Sequence, residues 1–293
     1  MRILGLVTSI FVFAATALSQ NAGDQMLAAE RGLSKATGEL GVKPAVMQFF
    51  SDDAIIFRPD AVNSKDFWNG RDDGKAAAVR GMSAFGISST GQIGYTTGSI
   101  EIFPNGKGAA SNAYGDYVTI WGRRENDGWR AVLELVVKHE KGIQLQYKQE
   151  RFERIEAESN KKGRSAADPS MNFLRASMGV GTLGSAYKSF AAEEIRFLRD
   201  GLPPITGKKR VIDATKAYRA VKFPFKVALI ESGDMAYSWN PCEYNVSDEG
   251  MERGNCLHIW KLRNKKWWIV LGAFARVESD LKPQLKTKKA RSK

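Results

Sequence analysis

The sequence predicts an α+β fold built twice in tandem, and three observations carry that expectation. Helix-forming stretches precede strand-forming ones in each half, blocks of one half recur in order in the other, and a charged, core-poor segment lies between them. Helices segregated ahead of a run of strands pack on one face of an antiparallel sheet, which is the α+β solution. With 293 residues, 43% hydrophobic, 26% charged and 2 Cys, the composition excludes a collagen, a disordered chain and a disulfide-dense miniprotein. Two domains of ordinary size fit this length.

The repeat is legible residue by residue. Phe50, Asp53, Ile55 and Phe57 match Phe190, Glu193, Ile195 and Phe197 at a spacing of 140, and Gly70 matches Gly207. Gly91, Ile93 and Tyr95 match Gly233, Met235 and Tyr237 at 142; Ile120, Trp121, Arg124 and Trp129 match Ile259, Trp260, Arg263 and Trp268 at 139. Four blocks in one order mark a duplicated domain. The expected copies span 24–140 and 171–279, with a charged linker over 141–170 and a basic tail over 280–293.

In chain order, Met1-Arg2 followed by the apolar run Ile3–Ala17 and Leu18-Ser19-Gln20 has the pattern of a secretory signal, with cleavage expected after Ser19. The run is short against the ~20 residues that span a bilayer, so no integral membrane segment is expected after processing. Asp24–Leu40 reads as a helix, and Pro44 suits the first turn of a second helix reaching about Phe50. Gly91–Phe103, Ala113–Arg124 and Trp129–Lys138 are rich in β-branched and aromatic residues and read as strands. Asn126-Asp127-Gly128 supplies a hairpin turn, because Asp-Gly tolerates positive φ.

The net charge is +12, and Lys282, Lys286, Lys288, Lys289, Arg291 and Lys293 concentrate half of that excess in the tail. A nucleic-acid binder needs a basic face and a reading element, so nucleic acid is not an expected partner. With only 2 His and 2 Cys, no structural zinc site and no other metal is expected. No phosphate-cradling loop or nucleophile elbow occurs, and no cofactor is expected; Gly179–Gly184 lacks the preceding strand a dinucleotide fingerprint needs.

Phe49-Phe50-Ser51-Asp52-Asp53-Ala54-Ile55-Ile56-Phe57-Arg58-Pro59, Gly94-Tyr95-Thr96-Thr97-Gly98, Tyr117-Val118-Thr119-Ile120-Trp121 and Gly128-Trp129-Arg130 resemble a nuclear-transport-factor-2-like domain. Within that superfamily the first copy is most similar to the SnoaL-like branch, and the second is a divergent copy. The resemblance implies a cone of helices against a curved sheet, enclosing an apolar pocket and often dimerised through the sheet. It also implies that ketosteroid-isomerase-like relatives use an Asp before Pro as base. That position is Arg58 here, and about Leu198 in the second copy. An arginine does not lose its proton near neutral pH, so that scheme is closed.

Two residues are candidate catalysts. Glu134 lies in the apolar strand Val132–Val137, where desolvation would raise its pKa, unless it faces solvent or pairs with Arg130; Ala273 is read as its counterpart. His258 shares a strand face with Trp260, and its counterpart is Thr119; a structural hydrogen bond is the competing role. His139 reads as solvated. Tyr95, Trp121, Tyr237 and Trp260 recur between copies and serve either as core or, with Arg58 and Trp68 near the cone mouth, as the lining of a ligand pocket. Cys242 and Cys256 fall on adjacent antiparallel strands beside a loop Glu243–Asn255, where a disulfide is expected if the protein is exported.

These readings favour a secreted or periplasmic tandem module that binds a small apolar ligand without catalysis. An isomerase, dehydratase or hydrolase working in the first copy is the alternative. A structural pseudo-dimer at the cell envelope is the third. In all three the copies are expected to pack sheet to sheet within the chain.

Overall fold

The computed structural model describes residues 4–71, 75–111, 113–140, 164–222, 227–247 and 250–277, with side chains from residue 21 onward. Most of the expected linker and all of the basic tail lie outside the described residues. In the first half, helices α1 (Leu4–Glu39), α2 (Val42–Phe49) and α3 (Ser64–Asn69) accompany strands β1 (Phe50–Phe57), β2 (Ala61–Asn63), β3 (Ala77–Ile87), β4 (Ile93–Phe103), β5 (Ala113–Arg124) and β6 (Gly128–His139). In the second, α4 (Ala167–Ala176), α5 (Leu183–Phe190) and α6 (Lys208–Thr215) accompany β7 (Ala191–Arg199), β8 (Leu202–Thr206), β9 (Tyr218–Ala220), β10 (Ala228–Ser232), β11 (Met235–Val246), β12 (Gly250–Arg263) and β13 (Lys266–Arg276).

The sheet orders are β2-β1-β6-β5-β4-β3 and β10-β11-β12-β13-β7-β8, the same path traced twice. The fold is therefore two tandem α+β units, as the sequence predicts, with one difference. Each sheet is mixed, because β1 runs parallel to β6 and β7 parallel to β13. The first strand of each unit enters from a helix and lies beside the last strand, a placement no hairpin could give.

The ladders also correct the repeat alignment. Tyr95 opposes Ile120 just as Tyr237 opposes Ile259, so spacings of 142 and 139 hold for the two middle strands. In the last strand, however, Thr119 faces Glu134 while His258 faces Gly272, so the counterpart of Glu134 is Gly272 and not Ala273. By the same register Trp129 corresponds to Trp267, not Trp268. The cause is turn length. Arg124 pairs with Gly128 across three residues, whereas Arg263 pairs with Lys266 across only Asn264 and Lys265, both at positive φ. In the first strand Ile55 and Ile56 lie against Leu133 and Glu134 as Arg196 and Phe197 lie against Leu271 and Gly272. The counterpart of Arg58 is therefore Arg199, not Leu198.

Strand alternation sends neighbouring side chains to opposite faces. On the helix-covered face of the first sheet, Met26, Leu33, Val46, Ile56, Trp68, Trp121 and Trp129 form one core. On that of the second, Phe173, Tyr187, Phe197, Trp260, Trp267 and Phe274 form another. The outer faces meet each other: Val118, Ile120, Leu133 and Leu135 of the first half share a third core with Leu198, Leu257, Ile259 and Leu271 of the second. Lys261 and Asp234 pair at 2.9 Å, both buried; Lys261 also donates to Ile87 O at 2.9 Å, and Asp234 accepts from Ser89 N at 2.6 Å. This two-domain arrangement is consistent with an intrachain pseudo-dimer. Among the described residues no helix is long and apolar enough to cross a membrane.

Candidate functional site

The interior of the first cone is built around Arg80. Its Nε donates to Glu30 Oε1 at 3.2 Å, Nη1 to Glu134 Oε2 at 2.6 Å and Nη2 to Thr119 Oγ1 at 2.8 Å. Its guanidinium lies 3.8 Å from the centre of the Tyr117 ring. Glu30 in turn accepts from Tyr117 Oη at 2.9 Å and Thr96 Oγ1 at 2.6 Å, and Thr96 Oγ1 accepts from Trp121 Nε1 at 2.9 Å. Thr119 closes the circuit by donating to Glu134 Oε2 at 2.9 Å. Burial alone would lower the Arg80 pKa, but the Glu134 and Glu30 carboxylates hold it above the ordinary arginine value. A densely bonded charge cluster of this kind, with Arg80 and Glu30 buried, fixes one side-chain arrangement, and losing one member strands the rest.

The second cone is filled differently. His258 Nε2 lies 3.2 Å from Tyr187 Oη, and the imidazole centre is 4.6 Å from that of Phe173. Burial pushes the His258 pKa down to about 3, so the ring is neutral at physiological pH. Gly272 is required here, because a Cβ at that position would stand 2.4 Å from Tyr187 Oη. Where the first cone has Glu134, the second has the bare backbone that lets Tyr187 reach His258.

The two candidate catalysts are thus both interior and both committed. Glu134 neither faces solvent nor pairs with Arg130, which approaches Asp127 at 3.6 Å instead; Tyr95 lies on the opposite face of the sheet from it. His139 is not solvated: it is buried and lies 3.2 Å from the Asp116 carboxylate. The proposed pocket residues do not form one pocket. Trp121 and Trp260 belong to the two cone interiors, and Trp68 is core, edge-on to Phe67 at 5.3 Å. Tyr95 and Tyr237 belong to the core between the sheets. Arg58 is exposed beyond β1, donates to Phe57 O at 2.8 Å and is within electrostatic reach of Glu134.

Sequence reasoning missed Glu30 and Arg80. Glu30 sits on the apolar stripe of α1 with Met26 and Leu33, and Arg80 interrupts Ala77-Ala78-Val79. An acid on a buried helix stripe was the available signal.

A cleft of about 910 Å³ opens between the copies, walled by Ile55, Ile93, Val132, Ile230, Tyr237 and Trp239. Asp53 and Arg124 stand at it, joined at 2.8 and 2.9 Å. Tyr237 is only 7% exposed, and among the described residues its hydroxyl has no hydrogen-bond partner. Burial, with the nearby Asp53 carboxylate adding to it, pushes the Tyr237 pKa up to about 12. Tyr95 occupies the related position, beside the Glu194–Arg263 pair, but there Gly86 lies so close that a Cβ would stand 2.5 Å from the ring. Ile230 holds the corresponding register position opposite Tyr237. The edge strand β10 has 5 residues against 11 in β3, which leaves the Tyr237 side open.

Cys242 and Cys256 form a disulfide with Cα atoms 6.0 Å apart. They are diagonal rather than directly opposed, since Cys242 faces Gly254 and Cys256 faces Asn240. The stretch expected as a loop is paired hairpin up to Val246 and Gly250. Tyr244 Oη lies 3.2 Å from Cys256 Sγ.

No protein-family model matches the chain, and no curated protein does. Among solved structures, an NTF2-like protein from Cytophaga hutchinsonii is similar at 15% identity, covering 38% of this chain and 94% of that one with a TM-score of 0.32. A ketosteroid isomerase-like protein from Erwinia carotovora atroseptica is similar at 13% identity, covering 39% and 92% with a TM-score of 0.32. A conserved protein from Planctomyces limnophilus is similar at 17% identity, covering 40% and 98%, again with a TM-score of 0.32. Each match spans about the length of one copy.

Proposed function

We propose that the chain is an exported tandem binding module without catalysis of its own, which holds a small apolar ligand in the cleft between its copies. One observation carries this reading: both cone interiors are occupied by the protein's own side chains, Arg80 with its two carboxylates in one and Phe173, Tyr187 and His258 in the other. The position that the family resemblance assigns to a base is arginine in both copies, Arg58 and Arg199, so neither offers a proton acceptor. Clefts at domain interfaces with apolar walls and few polar groups are the common setting for small-ligand binding.

Export to an extracellular or periplasmic space is supported by the signal-like N-terminus and by the disulfide, which persists in oxidising compartments. Ala22, Met26 and Leu33, which pack on the first sheet, all lie beyond the expected cleavage after Ser19. Two measurements test the reading. N-terminal sequencing of the native protein should start at Gln20, and an intact Met1 in the cytosol would overturn export. Native mass spectrometry of protein from its own host should show a small retained molecule, lost on Ile230→Trp substitution; retention that ignores this substitution would place the ligand elsewhere.

A further inference from the structure

We propose that the inter-copy cleft selects an uncharged, flat aromatic ligand bearing one hydrogen-bond acceptor, which the Tyr237 hydroxyl recognises. The inference deepens the binding reading above and rests on it. Two aromatic rings, Tyr237 and Trp239, stand on the wall, and Trp239 is held edge-on by Phe57 with ring centres 5.5 Å apart. Fixed rings of this kind favour a flat partner that can stack or meet them edge to face.

Much of the polar lining is engaged by contacts within the protein; the side chains of Gln92, Asp60 and Arg123, on the exposed rim, are not. Arg124 and Asp53 satisfy each other, Asn255 donates to Pro59 O at 2.8 Å, and Ser232 meets Thr90 at 2.5 Å. Glu231 accepts from Ser165 Oγ at 2.6 Å and from Ala166 N at 2.8 Å. Two donors on the aromatic wall have no partner among the described residues, the Tyr237 hydroxyl and the Trp239 indole N–H, and Tyr237 is the more deeply buried. A phenol that keeps its proton well above neutral pH gives a hydrogen bond to a carbonyl or ether oxygen, and a ligand lacking such an atom leaves it unmatched. A charged ligand is disfavoured on either sign. The exposed rim carries both signs, Arg123 and Arg124 with Asp53, Asp60 and Glu231, but the buried wall holds no charged side chain to pair with a carboxylate or an ammonium.

The test uses the full mature chain with four probes of one shape: 2-acetylnaphthalene, 2-ethylnaphthalene, 2-naphthoate and 2-naphthylmethylamine. Affinity is read by isothermal titration calorimetry, and position by tryptophan fluorescence in the wild type and in Trp239→Phe. The ketone should bind tightest, and Tyr237→Phe should weaken it about fivefold while leaving 2-ethylnaphthalene unchanged. A charged probe binding more tightly than the ketone, or a ketone affinity that ignores Tyr237→Phe, would overturn the inference and leave the binding reading standing. If none of the four binds at millimolar concentration, both fall. Ile230→Trp, on an exposed edge, should abolish binding without unfolding the chain, as circular dichroism would verify; unchanged binding would overturn the site.

Discussion

Thr90 and Ser232, the same position in the two copies, meet hydroxyl to hydroxyl at 2.5 Å. A residue touches its own counterpart only on the axis of an isologous interface, so this contact locates the approximate two-fold between the copies. A second point on it is Asp200, whose carboxylate accepts from the backbone N–H of Lys138 at 2.6 Å and of Arg276 at 2.5 Å. Those two residues are also counterparts, at the end of the last strand in each copy. Duplication has let the halves diverge around this axis: the clamp of Lys261 with Asp234 exists on one side, where the first copy has Gly122 in place of the lysine.

That clamp should dominate the polar stability of the interface. Asp234→Ala leaves a buried ammonium without its carboxylate, and a loss of about 3–5 kcal/mol is expected in urea unfolding. The pair replacement Asp234→Leu with Lys261→Met should cost less than either single change. A single variant within about 0.5 kcal/mol of wild type would show that the pair is not buried in solution.

The Arg80 cluster makes the same argument inside the first copy. Arg80→Met should destabilise by about 3–5 kcal/mol, because Glu30 and Glu134 are then left close together without their shared cation. Adding Glu30→Gln and Glu134→Gln should recover part of that loss, a non-additivity expected of groups in one network. Full additivity of the three changes in denaturant unfolding would show that they do not interact.

The parts of the fold that were legible in the sequence were those where pattern and propensity agree. β4, β5 and β6 lie where runs of Ile, Val, Thr and Tyr placed them, and the repeat followed from aromatic positions that packing holds fixed. β1 and β3 were not legible as strands: Ser51-Asp52-Asp53 and Ala77-Ala78 are poor strand formers, and sheet pairing overrides their preference. The one-residue slips in the repeat came from turn length, which an alignment of similar residues does not see. Glu134 was found because an acid in an apolar strand is conspicuous. Its partners were not, since Arg80 and Glu30 are brought to it from 54 and 104 residues away by tertiary packing.

His258 gives a signed pH dependence. Its folded pKa is lowered to about 3 by burial, from an ordinary value near 6.5, so the unfolded chain binds a proton there that the folded chain does not. Its contribution is fully present above about pH 6.5 and declines as pH falls toward 3, by about 1.4 kcal/mol per unit. His258→Phe should flatten the stability profile over that window relative to wild type. Parallel profiles in the two proteins would mean that the imidazole titrates normally.

The disulfide links residues 14 apart on neighbouring strands, β11 and β12. Closing a loop of that size restricts the unfolded chain by about 3 kcal/mol, and the double change Cys242→Ala with Cys256→Ala should lose an amount of that order. Intact mass after denaturing alkylation, without reductant, should show no modified thiol. Two alkylated cysteines in the unreduced mature protein would rule the bond out.

The last prediction concerns the first copy produced alone, as residues 20–140. In the full chain the outward face of its sheet, with Val118, Ile120, Leu133, Leu135 and Val137, is covered by the second copy. Uncovering it exposes side chains worth about 1.5–3 kcal/mol each when fully buried, a patch that soluble monomers rarely present. The isolated copy should therefore dimerise through that face or aggregate, which light scattering after size exclusion would register. Leu135→Asp in the isolated copy should suppress self-association, and in the full chain the same change should lower the unfolding midpoint by placing a charge in the shared core. A first copy that stays monomeric and unfolds at the same midpoint as the full chain would show that the second copy contributes nothing to it.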